Sequence, residues 1–346
     1  MPTDLEEIKG IGPTTGQKLQ DAGISSAEML AYQVPGDLRI RGLKEDKLAE
    51  FIRLARDLLP FTKLRPATEI EEELNHTPQL TTGSPTLDNR LQGGLYAGSL
   101  VEFYGLSASG KSQWCHQFAV TSQLPREHGG LGGGVIWLDY ERGFNPLIIR
   151  AAAIRFELDP DEVISNIRHA TILTQDHMVD YLDTLRKLCS EDTALVVCDC
   201  LGFLFPAETE ERIHYSVTIN RLRTILQAFN NLALATDTTF LYTNQLYRHY
   251  LPQGGSYLSP LNGNLMGQMS DYRFKTRARS PPEKRLYLVD APDIPPFEFR
   301  LSLSWGGLYD LYYPRPPKVV IEYVNEELGK WYPGIIDEDD GELLYK

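Results

Sequence analysis

Two periods of hydrophobicity divide the chain. Between residues 5 and 59 the apolar positions recur at helical spacing. LEEIKGIGPTTGQKLQDAG predicts a short helix, a Gly10-Ile11-Gly12 hairpin and a second helix opening at Pro13. SSAEMLAYQ predicts a helix capped by Ser25 or Ser26, and KEDKLAEFIRLARDLL a long amphipathic one. Residues 60–80 are rich in Pro and charge and read as a linker. Over residues 81–312 the pattern changes to unbroken apolar runs alternating with helical stretches: LVEFY, GVIWLDYE, ATIL, ALVVCDC, TTFLYTNQ, DYRFKTRAR and RLYLVDAP. Runs without alternation are strands buried on both faces, so a mostly parallel sheet is expected. Residues 313–346 open with PRPPKVVIEYV, read as room for one more strand, and close in an acidic tail, Asp337 to Glu342.

One strand–helix junction carries chemistry. LVEFY runs into Gly105-Leu106-Ser107-Ala108-Ser109-Gly110-Lys111-Ser112, and a helical pattern beginning with Gln113 follows. This is G-x-x-x-x-G-K-S between a strand and a helix. Its glycines allow a tight turn whose N–H groups point at phosphate oxygens, and the helix adds its positive end. Lys111 is expected to reach the β- and γ-phosphates of ATP, and Ser112 to ligate Mg²⁺. Such chemistry also needs groups at the carboxyl ends of neighbouring strands. ALVVCD ends in Asp199, a candidate for the Mg²⁺ side. GVIWLDYE ends in Glu141, a candidate for activating water, and TTFLYTNQ in Asn244 and Gln245, candidates for sensing the γ-phosphate.

Two loop-like segments follow these strands. LYRHYLPQGGSYLSPLNGNLMGQMS is long and poor in regular pattern; Tyr247, Arg248, His249 and Tyr250 set cations beside aromatics, which suits phosphate contact and base stacking. FPAETEERIHYS holds Arg212 in an acidic setting. The Gly10-Ile11-Gly12 hairpin, with Lys9 and Lys18, could offer N–H groups to a DNA phosphate, or could simply pack.

Composition narrows the picture. Of 346 residues, 42% are hydrophobic and 23% charged, as in ordinary globular protein. No apolar run reaches membrane-spanning length, and the polar N-terminus does not resemble a signal peptide; a cytoplasmic, nucleoid-associated location is expected, or a nuclear one in a eukaryote. Cys115, Cys189, Cys198 and Cys200 lack zinc spacing and read as buried free thiols. The net charge of −13 excludes a generally basic surface, so DNA binding is expected at few, salt-sensitive sites.

Up to about residue 312 the sequence resembles the archaeal RadA branch of the RecA-type recombinases. The resemblance rests on the helix-hairpin-helix region, TTGSPTLDNRLQGGL, CHQFAV, QLPREHGGLGGGVIWLDYE, LDPDEV, TNQL and LVDAPDIPP. It implies an α/β fold: a RecA-like P-loop ATPase core (residues 81–312) with a small all-α helix-hairpin-helix domain (residues 1–59). It implies a DNA-dependent ATPase that forms a homo-oligomeric filament or ring on single-stranded DNA and pairs it with a duplex. Lys111, Ser112, Asp199, Glu141 and Gln245 become the ATPase set, and the segment from Asp290 to Pro292 a cap laid on ATP by a neighbouring subunit. The segments after Asp199 and Gln245 become DNA loops, with Asn262-Gly263-Asn264 where the family has Gly-Gly-His. The family's Phe-x-x-Ala docking hook is here Leu64-Arg65-Pro66-Ala67, with Phe61 three residues earlier. The family's two arginines after Glu141 are absent from Phe144-Asn145-Pro146-Leu147-Ile148. These departures leave two alternatives open: a mediator paralogue with weak ATPase that serves another recombinase, and a RecA-like regulatory ATPase that does not bind DNA.

Overall fold

A computed structural model of the chain describes residues 2–38, 40–189, 192–205, 212–251, 253–280, 282–311 and 317–328. The N-terminal helices are α1 (Pro13–Asp21), α2 (Ala27–Ala31) and α3 (Glu45–Leu58). Gly10, at φ +93°, helps turn the chain into α1. Ser26 is the cap of α2, its hydroxyl accepting from Met29 N at 3.2 Å. Leu48, Phe51, Ile52 and Ala55 form the buried stripe of α3.

Residues 60–80, expected to be a linker, contain helix α4 (Ala67–His76) and a short strand, β1 (Gln79–Leu80). Pro66 precedes the first turn of α4 and so does not break it, and Glu and Leu are good helix formers. No residue of α4 is buried, so its polar composition, which reads as a linker, is that of a solvated helix.

β1 pairs with β2 (Leu95–Tyr96), with α5 (Pro85–Arg90) between them. The main sheet comprises β3 (Leu100–Gly105), β4 (Gly134–Asp139), β5 (Ile167–Thr171), β6 (Thr193–Asp199), β7 (Thr239–Tyr250), β8 (Ser256–Pro260), β9 (Tyr272–Ala278), β10 (Glu283–Asp290), β11 (Phe297–Ser304) and β12 (Gly307–Asp310). Its order is β12-β11-β10-β9-β3-β7-β6-β4-β5, with β8 attached to β7. The run from β9 to β5 is parallel; β10, β11 and β12 add an antiparallel wing. Every residue of β3 and β6 is buried, which accounts for their unbroken apolar runs. The remaining helices are α6 (Lys111–Thr121), α7 (Pro146–Arg155), α8 (Pro160–Ser165), α9 (Gln175–Leu188), α10 (Leu201–Leu204), α11 (Arg212–Thr236), α12 (Gly263–Met269) and α13 (Lys318–Leu328). The N-terminal helices rest on α9 and α11. Asn231 Nδ2 donates to Tyr32 O at 2.8 Å, and a Cβ on Gly23 would fall 2.8 Å from the Lys187 backbone nitrogen.

Two further expectations change. The segment after Gln245 is a hairpin and a helix, not a pattern-poor loop: β7 continues to Tyr250, turns at Gly254 and Gly255 (both at positive φ), and returns as β8 before α12. Its aromatics favour strands, but their polar ends hide the apolar alternation. KVVIEYV forms α13, not a strand, because Val320 and Val324, four apart, pack with Ala151 of α7. Residues 206–211 of the first loop and the acidic tail lie outside the described residues.

Candidate functional site

The carboxyl edge of the parallel strands gathers most of the residues singled out above. β3 ends at Gly105, and a Cβ there would come within 2.6 Å of Thr276 O, Thr276 Oγ1 and Ser109 Oγ, so only glycine fits. Ala108 (φ +59°) and Gly110 (φ +104°) turn the loop into α6. Lys111 Nζ folds back onto the loop, donating to Gly105 O at 3.2 Å and Leu106 O at 3.1 Å. Leu106 and Ser107 are exposed at the tip, and Ser109 is buried against Thr276 at 2.7 Å. Ser112 and Gln113 occupy the first turn of α6.

The carboxylates converge on this loop. Asp199 Oδ1 accepts from the Thr243 hydroxyl, whereas Asp199 Oδ2 is buried with no hydrogen-bond partner. A Cβ placed on Gly143 would lie 3.0 Å from that oxygen and 3.7 Å from Ser112 Oγ, so both oxygens face one small space. An orphaned carboxylate oxygen beside a hydroxyl fits Mg²⁺, which takes one or two protein oxygens and fills its shell with phosphates and water. No group of three His, Cys, Asp or Glu side chains suited to a dedicated metal site occurs among the described residues. Glu141 Oε1 accepts from Gln245 Nε2 at 2.8 Å. Partial burial, and next the Asp199 carboxylate, raise the Glu141 pKa; Lys111 and the Gln245 amide pull against them.

Asn244 is not available to a phosphate. Its side chain is fully buried, with Nδ2 donating to Glu102 Oε1 and to Leu261 O, each at 2.8 Å. Of the pair ending TTFLYTNQ, Gln245 alone turns toward Glu141.

Of the residues considered for DNA, Tyr247, Arg248, His249 and Tyr250 lie on the adjoining hairpin, and Asn262, Gly263 and Asn264 at the start of α12. Arg248 Nη1 donates to Ser256 Oγ at 2.8 Å, and His249 stacks on Tyr257 with ring centroids 4.8 Å apart and 14° between planes. Tyr247 meets His249 edge-on at 5.1 Å, and Tyr250 is exposed. Tyr247, His249, Asn262, Gly263 and Asn264, with Arg223 of α11, line a cleft of about 510 Å³. Arg212 opens α11, next to the undescribed segment.

Other expected positions stand elsewhere. Asp290 pairs with Arg273, and Pro292 follows in an exposed segment; Leu286 pairs with Thr276, which pairs with Gly105. Across a bulge in β10, Asp290 thus lies at the level of Glu102, three residues or about 10 Å before the phosphate loop, toward the opposite sheet edge. Leu64 is fully exposed and Ala67 begins α4. Phe61 stacks on Tyr32 of its own chain at 5.6 Å.

Several contributors escaped the sequence reading. Asp139 ties down the segment after Glu141: its carboxylate accepts from Gly143 N at 3.0 Å and Phe144 N at 3.1 Å. Asp139 is the last residue of β4, and Glu141 lies two residues beyond it in the bend that follows. His116 bridges the loop helix to the same segment. Nε2 accepts from Asn145 N at 3.0 Å, so Nδ1 carries the proton donated to Ser112 O at 2.6 Å. Burial lowers the His116 pKa and keeps the ring neutral. Phe144 packs against His116 and Trp137, and Asn145 caps α7, so the run that lacks the two arginines holds this wall together. Lys284 Nζ donates to Ala108 O at 3.1 Å from β10.

Known proteins resemble the chain over this whole region. The family described as Rad51 matches residues 74–311. "DNA repair and recombination protein RadA" of Methanocorpusculum labreanum is 32% identical over 322 residues, covering 88% of this chain and 98% of the relative. The protein of that name in Ignicoccus hospitalis is 32% identical over 315 residues (89% and 96%), and that of Metallosphaera sedula 31% over 309 (88% and 95%). With this coverage, and a phosphate loop, orphaned carboxylate and Glu–Gln pair on one sheet edge, the chain belongs to the Rad51 family, in the RadA branch of the RecA-like proteins.

Proposed function

We propose that this chain is a DNA-dependent ATPase that assembles on single-stranded DNA and promotes homologous pairing and strand exchange in DNA repair. The observation that carries the reading is the Glu141–Gln245 hydrogen bond, 2.8 Å, at the junction between the phosphate loop and the hairpin that lines the cleft. It joins a base to a strand that continues into the candidate DNA surface.

The residues divide the work. The loop amides from Leu106 to Ser112 cradle the phosphates, and Lys111, released from Gly105 O and Leu106 O, reaches the β- and γ-oxygens. Ser112 and Asp199 would hold Mg²⁺, which when bound supplies positive charge to the transferring phosphoryl group. Glu141 accepts a proton from the attacking water, and Gln245 positions Glu141 and senses the terminal phosphate. Asp290 and Pro292, far from their own loop, would cap the nucleotide of a neighbouring protomer. Tyr247, Arg248, His249 and Tyr250, with Asn262, Gly263 and Asn264, would contact single-stranded and double-stranded DNA, Arg212 adding a phosphate contact. Leu64 and Ala67 would dock on the next subunit, a site where Leu buries less area than Phe.

The test is ATP turnover with and without single-stranded DNA. Turnover should rise with DNA, and Lys111→Ala should lower it by at least about 10²-fold, the scale for losing a preorganised charge at a reacting phosphate, without lowering Tm. Equal turnover in both conditions would remove the strand-exchange reading. A chain that binds ATP but forms no filaments alone would favour the mediator reading, which the exposed Leu64 motivates.

A further inference from the structure

The antiparallel wing carries charge that has no part in the mechanism above. Along β9, Arg273, Lys275 and Arg277 alternate with the buried Tyr272, Phe274 and Thr276, so the three cations share one face of the sheet. Arg273 is held locally. Its Nε donates to the buried Glu102 Oε2 at 2.5 Å, and a Cβ on Gly267 of α12 would come 2.3 Å from its Nη1.

Farther along, the register stacks like charges. Arg277 stands opposite Arg285, and Arg285 opposite Arg300, so three guanidinium groups cross three adjacent strands in one row. Like charges directly opposite one another repel. Arg285, in the middle, is neutralised: Nε donates to Glu283 Oε1 at 3.2 Å and Nη1 to Glu298 Oε1 at 2.8 Å. Lys275, Arg277 and Arg300 pair with no carboxylate among the described residues, and Arg277 and Arg300 are exposed. On a chain of net charge −13, such a row attracts anions.

The chain itself holds the matching charge. Five of the six residues from Asp337 to Glu342 are acidic, and they follow α13. Helix α13 starts beside the wing: Val320 is buried with Ala151, and a Cβ on Gly306, in the turn between β11 and β12, would lie 3.4 Å from Val320 Cγ1. Gly306 is six residues beyond Arg300, a reach of about 20 Å, and Leu328 is eight residues beyond Val320, about 12 Å of helix. With these legs laid end to end, Arg300 is still under about 40 Å from Leu328, whereas the fourteen residues to Glu342 can span about 47 Å. A single surface ion pair contributes little, but five carboxylates facing a row of cations form a network.

We infer that residues 337–342 lie along this row of the same chain, their carboxylates beside Lys275, Arg277 and Arg300. The tail passes β12, the last strand of the wing, to get there. An external polyanion then reaches the row only by displacing the tail. The inference requires neither nucleotide nor DNA.

Zero-length carbodiimide crosslinking of the full chain tests this, because it joins a lysine amine to a carboxylate only where the two touch. Isotope-labelled and unlabelled chains are mixed in equal amounts, without nucleotide or DNA, and the joined peptides are identified by mass. Lys275 should join to residues 337–342 of its own isotope. Raising the salt from about 50 mM to about 500 mM shortens the screening length roughly threefold and should cut the yield at least about fivefold. Arg277→Gln combined with Arg300→Gln should cut it as far at low salt, with Tm unchanged; the salt series on the wild type decides the matter if that variant is unstable. Joining only between isotopes would give the row to a second copy and overturn the inference. So would a tail that joins to other lysines but not to Lys275, or a yield indifferent to salt. No joining at all, with duplex DNA retained through Arg277 and Arg300, would give the row to nucleic acid and overturn it equally.

Discussion

At the scale of single residues, the site is governed by which carboxylate stays ionised. Burial first, then the Asp199 carboxylate, raise the pKa of Glu141, and the Gln245 amide opposes them by bonding the ionised form. A base works only when deprotonated. Turnover should therefore fall as pH drops through a value above the ordinary carboxylate range. Gln245→Ala removes a bond that favours the anion, so the acid limb of kcat should move to higher pH, with kcat itself lowered about tenfold, or ~1.4 kcal/mol. A limb that stays in place, measured from pH 5 to 8, would free Glu141 from this role. The sequence made part of this site readable. Lys111 and Ser112 follow from fixed spacing, and Asp199 and Glu141 from their places at strand ends. Position at a strand end could not separate Asn244 from Gln245, which only the resemblance singled out, because which of two adjacent residues faces the edge depends on the pleat and on the Glu102 that claims Asn244. The Glu102–Arg273 pair was invisible for a related reason: 171 residues separate the two, and only the β3–β9 register brings them together.

At the scale of elements, the hairpin of β7 and β8 is the least expected feature and the most consequential. An ordered hairpin presents its rings at fixed angles, so a base meets a platform that costs less entropy to assemble than a mobile loop would. Tyr257→Ala removes the partner of the His249 stack and should weaken single-stranded DNA binding by about 1 kcal/mol, roughly fivefold in Kd. Because tyrosine is uncharged, the slope of log K against log salt should not change, whereas Arg248→Ala should reduce it by about one. Unchanged affinity in Tyr257→Ala would place the polynucleotide elsewhere. The core strands were legible because both faces are apolar; the hairpin, α4 and α13 were not. In α4 the polar surface imitates a linker, and in α13 a β-branched run conceals a four-residue repeat held by α7.

At the scale of the whole molecule, the sheet separates two things that one nucleotide needs. The cradle lies at the carboxyl edge of β3, and Asp290 lies about 10 Å short of that level, toward the other edge, so under the proposed function a complete site takes two protomers. Mixing tests this. Lys111→Ala and Asp290→Ala chains should each be inactive alone. Equal amounts together should recover roughly a quarter of wild-type turnover, since a head-to-tail contact joins an intact cradle to an intact cap in one arrangement of four. No recovery would mean that each chain closes its own site. This separation also ties output to assembly size. In an open row the terminal cradle has no lid, so a pair of chains runs at half its nominal capacity, a long row wastes almost nothing, and a closed ring has no idle end. Elongation would then act as the throttle, without any separate regulator.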